Sequence, residues 1–128
     1  MSAEANTTVA RQLEDAFNRH DAAFYDAHPG LTPARAFYQQ LWSAFPDMRA
    51  TPEVTVADGG WIAQRLSVSG TMQGAFMGME PTGKRATYEV ITMFRVADGT
   101  IVEYHAQADV MGMLQQLGLA PAGAPPPR

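Results

Sequence analysis

The chain has 128 residues, no cysteine, and 13 acidic against 9 basic side chains. That length supports one domain with its own core, and the missing cysteine excludes disulfides, thiolate metal sites and thiol nucleophiles. The basic residues are scattered, which argues against nucleic acid as a partner, and no stretch approaches the ~20 apolar residues of a membrane span. The opening Met1-Ser2-Ala3-Glu4 lacks the basic start and apolar run of an export signal, so no membrane association and a cytoplasmic location are expected.

Val9, Leu13, Ala16, Phe17 and His20 fall at helical spacing and predict a first helix over residues 2–19, with Arg11, Glu14 and Asp15 outside. Residues 18–21 end it. Thr32-Pro33 reads as a helix start, with Thr as cap and Pro where its missing N–H is not needed. The second helix carries Ala34, Phe37, Tyr38, Leu41, Trp42 and Phe45 on one wide apolar stripe until Pro46 stops it. Such a stripe is ordinarily core; Trp42 is singled out as a pocket wall.

Beyond Met48 the period falls from about 3.6 to 2 residues. Residues 49–56 read as a strand, and Pro52 within it points to a sheet edge. Asp58-Gly59-Gly60 turns the chain into a strand over 61–68, where Gln64 interrupts the apolar row Ile62, Leu66 and Val68. Residues 69–85 contain Gly70, Gly74, Gly78, Gly83 and Pro81, too much punctuation for a regular element, so a long hairpin loop is expected; the spacing does not fit a phosphate loop. A third strand over 87–96 puts Tyr88, Val90, Thr92 and Phe94 on one side.

Asp98-Gly99 is a strong two-residue hairpin signal, so a last strand begins at Ile101. Strict alternation then predicts Ile101, Glu103, His105, Gln107 and Asp109 on one face and Val102, Tyr104, Ala106 and Ala108 on the other. The first row has no Lys or Arg, as a solvated face normally would, and lines up a histidine with two carboxylates, the residue types suited to proton transfer near neutral pH. A short helical turn follows with Val110, Leu114 and Leu117 in register and Gly118 as its C-terminal cap. Residues 119–128, rich in Pro and Ala, read as an extended or disordered tail to a domain over 1–118. Helices followed by long antiparallel strands predict an α+β fold, helices on one face of a curved sheet.

Several stretches resemble the SnoaL-like polyketide cyclases, or ester cyclases: Phe17-Asn18-Arg19-His20-Asp21, Ala44-Phe45-Pro46-Asp47-Met48-Arg49, the loop Gly70 to Lys84, Phe94 to Glu103, and Asp109 to Gly118. The resemblance covers nearly the whole chain to Gly118, and the Gly70 to Lys84 loop is its most specific part. It implies the cone of the nuclear-transport-factor-2-like superfamily, a curved antiparallel sheet wrapped over helices with a pocket in its mouth, and a homodimer or homotetramer built on the outer sheet face. It also implies intramolecular aldol closure of a polyketide ester without metal or cofactor, with the acid/base aspartate at Asp109. The chain departs from the family in three places. Tyr104-His105 stands where the family has His-Trp, which by parity moves the histidine to the other face. Thr92 stands where an aspartate is common, and the Asp21 to Thr32 connection is short, with His28 in the place of a pocket histidine.

A base held in a dry pocket plus a donor to the oxygen that becomes an enolate suffices to remove a proton beside a carbonyl. Asp109 is the expected base, its pKa raised by desolvation, and His105 the oxygen donor or ion-pair partner. Gln107, Gln64 and Glu103 are expected to orient the substrate together with Thr92, while Tyr88, Trp42, Phe17, Met79 and His28 line the pocket. The expected activity is a cofactor-independent cyclase or isomerase acting on a hydrophobic, oxygenated small molecule. Epoxide opening, pericyclic closure and simple binding of a hydrophobic ligand are the alternatives.

Overall fold

The computed structural model describes residues 3–119; the expected tail over 119–128 lies, apart from Leu119, outside the described residues. Helix α1 (Ala3–Asn18) buries Val9, Ala10, Leu13 and Ala16 along one face. His20 then adopts a left-handed φ of 57°, and the chain enters a short helix that the sequence did not suggest, α2 (Ala22–Asp26), whose cap is Asp21 accepting from the Ala23 N–H at 3.1 Å. A 3₁₀ turn (Thr32–Ala34) leads into α3 (Arg35–Ala44). Pro33 occupies the first turn as expected, but Thr32 is not the cap: its hydroxyl donates back to the carbonyls of Tyr25 and His28, both at 3.3 Å.

Four strands follow, β1 (Arg49–Asp58), β2 (Trp61–Thr71), β3 (Arg85–Ala97) and β4 (Thr100–Ala108), each antiparallel to the next, in the order β1-β2-β3-β4. Pro52 lies on an edge strand, as its missing N–H requires, beside a bulge between Pro52 and Val54. Asn18 covers part of that edge, its amide donating to the Ala50 carbonyl at 3.1 Å and accepting from the Ala50 N–H at 2.7 Å. The Asp98-Gly99 turn has φ of 50° and 75°, the mirror-image geometry that its sequence favours.

The loop over 72–84 is anchored at both ends. The Gln73 and Gly74 N–H groups donate to the terminal Ala44 carbonyl of α3, and Met72 pairs with Lys84 and Gly83 through the backbone. Met72 and Phe76 are buried beneath it, with Phe76 edge-on to Phe45. Helix α4 (Val110–Gln116) is capped by Asp109 and clamped to β3 by Gln116, whose amide exchanges two 2.8 Å hydrogen bonds with the Thr87 backbone. Gly118 closes the helix at φ 78°, and Leu119 packs on the core.

The fold is α+β, with the helices packed into the concave face of the curved sheet. Ile62, Gln64, Leu66 and Val68 of β2 and Tyr88, Thr92 and Phe94 of β3 point inward and are buried. Among the described residues no helix is long and apolar enough to cross a membrane.

Candidate active site

The last strand departs from strict alternation. β3 and β4 pair in register as Arg95 with Glu103 and then Val96 with Ile101, leaving Val102 as an extra, bulged residue. A bulge reverses which side chains face which way beyond it. Ile101 is fully buried as expected, but past the bulge Tyr104, Ala106 and Ala108 line the concave side, while Glu103 and His105 lie on the convex face.

The bulge is held from outside the sheet. The Ile101 N–H donates to His28 Nδ1 at 3.0 Å, and the Gly30 N–H donates to the Ile101 carbonyl at 2.9 Å. Both bonds occupy strand-edge groups that a fifth strand would otherwise use. A Cβ on Gly30 would come within 2.5 Å of the Glu103 nitrogen, so only glycine lets the backbones approach this closely.

Within the cone is a cavity of about 350 Å³, in the range of small-molecule sites. Leu13 and Phe17 of α1, Tyr25 of α2, Phe37, Tyr38 and Leu41 of α3, and the inner faces of β2, β3 and β4 form its wall; Met77, Val110 and Met113 complete it. The polar groups in this apolar lining are few. Gln64 and Thr92 are neighbours across β2 and β3; Gln64 donates to the Thr55 hydroxyl at 3.1 Å, and the buried Thr92 hydroxyl has no partner among the described residues. The Tyr38 and Tyr104 hydroxyls bond to each other at 2.8 Å. Burial pushes Tyr38 up and Tyr104 well above the ordinary tyrosine value, and desolvation raises Tyr25 and Tyr88 as well, so all four phenols stay protonated. A pair of hydroxyls has two protons and uses one between them; the other remains for a third oxygen.

Of the expected site residues, Gln64, Thr92, Tyr88, Phe17 and Gln107 line the cavity. The others lie outside the lining. His105 is exposed, bonded to Glu103 at 2.7 Å and stacked near Trp61, and Glu103, also paired with Arg95, has its carboxyl held below the usual range by those two partners. Asp109 is exposed rather than desolvated: it sits between lining residues Ala108 and Val110, and its carboxylate accepts from the Gly112 N–H at 3.0 Å as the cap of α4. Trp42 is buried one layer behind the wall, stacked on His20 with 5.3 Å between ring centroids. Met79 packs against the core, and Met77, at the tip of the same turn, takes its place in the lining. His28 is a buried clamp on β4, its pKa lowered by desolvation.

Glu14, expected outside, lines the cavity. The signal was present in the sequence: Ala10, Leu13, Glu14 and Phe17 occupy i, i+3, i+4 and i+7, the apolar face of a helix, with a carboxylate in one of its places.

The profile of the SnoaL-like polyketide cyclase family matches residues 3–117. The chain is 35% identical to the aklanonic acid methyl ester cyclase DauD of Streptomyces sp. strain C5, with 94% of this chain and 90% of that one covered. It is 32% identical to the nogalonic acid methyl ester cyclase of Streptomyces nogalater, with 68% of each covered. The solved structure of AclR from Streptomyces galilaeus, a proposed hydroxylase, superposes with a TM-score of 0.84 at 25% identity, covering 94% of this chain and 100% of that one.

Proposed function

The chain belongs to the SnoaL-like polyketide cyclase family, and from that premise we propose that it closes a ring in a small, hydrophobic, oxygen-rich molecule by proton transfer beside a carbonyl, using side chains alone. The observation that carries this reading is the lining: a largely apolar wall with four protonated tyrosines and a Thr92 hydroxyl that has no partner among the described residues, hydrogen-bond donors already fixed in an apolar surround.

Asp109 serves as the base at the rim. Its bond to the Gly112 N–H fixes the carboxylate, and its neighbours Ala108 and Val110 both face the cavity. It takes the proton from carbon; the enolate oxygen accepts a hydrogen bond from the free hydroxyl proton of the Tyr38–Tyr104 pair, in the role expected of His105; and the enolate carbon bonds to the carbon of a second carbonyl of the same molecule. Gln64, Thr92 and Gln107 orient the chain of oxygens.

The convex sheet face exposes Val54, Val56, Ile91 and Met93 around Ala63, with Arg65, Glu89, Arg95 and Glu103 supplying both charges beside them. A self-complementary patch of this kind suits a second copy of the chain related by a two-fold axis, and we assign the homodimer contact to it. Sedimentation of Val56→Lys/Met93→Lys as a monomer, against a dimeric wild type, is the expected result; equal mass in both overturns the assignment.

The functional test is incubation with the methyl esters of aklanonic and nogalonic acid, following formation of a ring-closed isomer of unchanged mass. Wild type is expected to convert at least one, with Asp109→Asn slower by about 10²–10⁴-fold. Tight binding of both esters with no turnover by either protein favours a ligand-binding protein instead.

A further inference from the structure

We propose that Glu14 is the proton donor of the cavity, the acid that protonates the second substrate oxygen while Asp109 removes the proton from carbon. This rests on the ring-closing reading above and completes its proton balance. In an aldol closure charge develops on two oxygens. One is the enolate oxygen, met by the tyrosine pair. The other belongs to the carbonyl under attack, whose π electrons move onto oxygen as the carbon–carbon bond forms. That oxygen needs a proton, and the base has only just acquired one from carbon.

Three observations point to Glu14. It is the one carboxylate among the lining residues of the cavity, set on α1 beside Leu13 and one turn before Phe17. Its carboxyl makes no hydrogen bond or ion pair with any described residue and so is not committed elsewhere, unlike the carboxylates of Asp47, Glu103 and Asp109, each tied by a hydrogen bond. Its surroundings also favour the protonated form: burial and the neighbouring Asp15 raise its pKa against the smaller opposing pull of Arg49 on β1 and Arg11 on its own helix. Among the described residues the other titratable groups lining the cavity are the phenols of Tyr25, Tyr38, Tyr88 and Tyr104, neutral near pH 7, which add no charge against it. Two carboxyl groups in unlike settings, one exposed and one against an apolar wall, divide naturally into base and acid. In the balanced step the carbon-bound proton passes to the Asp109 carboxylate, the Glu14 carboxyl proton passes to the new alkoxide, and the product is an isomer of the substrate. Both groups reach water, through which Asp109 gives up its proton and Glu14 regains one.

The test is the pH–rate profile of Glu14→Gln and Glu14→Asp with whichever methyl ester the wild type closes. Loss of about 10²-fold in kcat and of the alkaline limb in Glu14→Gln, with the limb retained in Glu14→Asp, is expected. A wild-type profile in Glu14→Gln overturns the proposal while leaving the ring-closing reading intact. Failure of wild type itself on both esters marks failure of that reading. Carbon-13 NMR of the Glu14 carboxyl, assigned from the Glu14→Gln variant, decides the placement without turnover. The resonance is expected to titrate above the other glutamates and to shift when a hydroxylated anthraquinone fills the cavity. A signal that titrates with the rest, or ignores the anthraquinone, overturns the proposal.

Discussion

β3 is paired on both sides and keeps its alternation throughout: Ala86, Tyr88, Thr92, Phe94 and Val96 are buried and the side chains between them are half-buried or exposed. β4 is paired on one side only and changes phase at Val102. Two ladders fix the register of a central strand, whereas an edge strand has free N–H and C=O groups that a loop can recruit. Here the loop carrying His28 and Gly30 recruits both groups of Ile101. The consequence is chemical as well as geometric. The bulge turns Tyr104 and two alanines into the cavity and sends Glu103 and His105 out, so the pocket becomes a dry wall with phenolic donors instead of a charged ladder.

The sharpest way to break this arrangement is Gly30→Ala. The new Cβ meets backbone atoms of Val102 and Glu103 at 2.6 and 2.5 Å, and neither can yield as a flexible side chain would. A stability loss of about 2–3 kcal/mol in urea denaturation is expected, at the upper end for overpacking because backbone must move. A variant as stable as the wild type would mean that the loop does not hold the bulge.

His28→Phe is the next step down. The ring keeps its tilted contact with Phe24, but the Ile101 N–H loses its acceptor, at a cost of about 1–3 kcal/mol. The pH dependence has a definite sign. Because the folded-state pKa of His28 lies below 6.5, the unfolded chain takes up the proton first, so stability is full above pH 6.5 and declines as pH falls toward the lowered value. The phenylalanine variant lacks that slope. The gap between the two proteins is therefore expected to narrow on acidification from pH 8 to 5, and a constant gap would remove His28 from the account.

The same contrast explains what could be read in advance. The inward rows of β2 and β3, the edge position of β1 and the Asp98-Gly99 turn follow from period, Pro52 and glycine chemistry. Gln64 and Thr92 were legible because a polar residue in an inward row must meet something in the interior. Val102 has no comparable mark: a bulge is stabilised by partners 70 or so residues away in the chain, and nothing local in Ile101-Val102-Glu103 encodes it (the Ile101–His28 separation is 73). Helix α2 was missed for a different reason. Its 5 residues are too few to display a period, although Asp21 before Ala22-Ala23 was an available cap signal.

A smaller effect with the opposite sign is expected at Thr92, on the regular strand. Its buried hydroxyl has no partner among the described residues, so Thr92→Val keeps the shape and removes an unmet polar group, leaving stability unchanged or raised by up to about 1 kcal/mol. Affinity for a hydroxylated anthraquinone, read by fluorescence titration, should fall at the same time. Improved stability with undiminished affinity would show that the hydroxyl serves no ligand.

The smallest effect is expected at His105, and it tests the phase change directly. With a side chain 60% exposed and bonded to Glu103 on the convex face, His105 has no route to a molecule inside the cavity. His105→Ala should leave ring closure and its pH profile as in the wild type, and should change only the association of the chain with its second copy, since the residue lies beside Met93 on the face assigned to that contact. A loss of turnover at unchanged mass would put the histidine back on the substrate side, as strict alternation requires, and the bulge at Val102 would then have to be absent from the working enzyme. The comparison between β3 and β4 thus turns on one exposed side chain whose removal is expected to do almost nothing to catalysis.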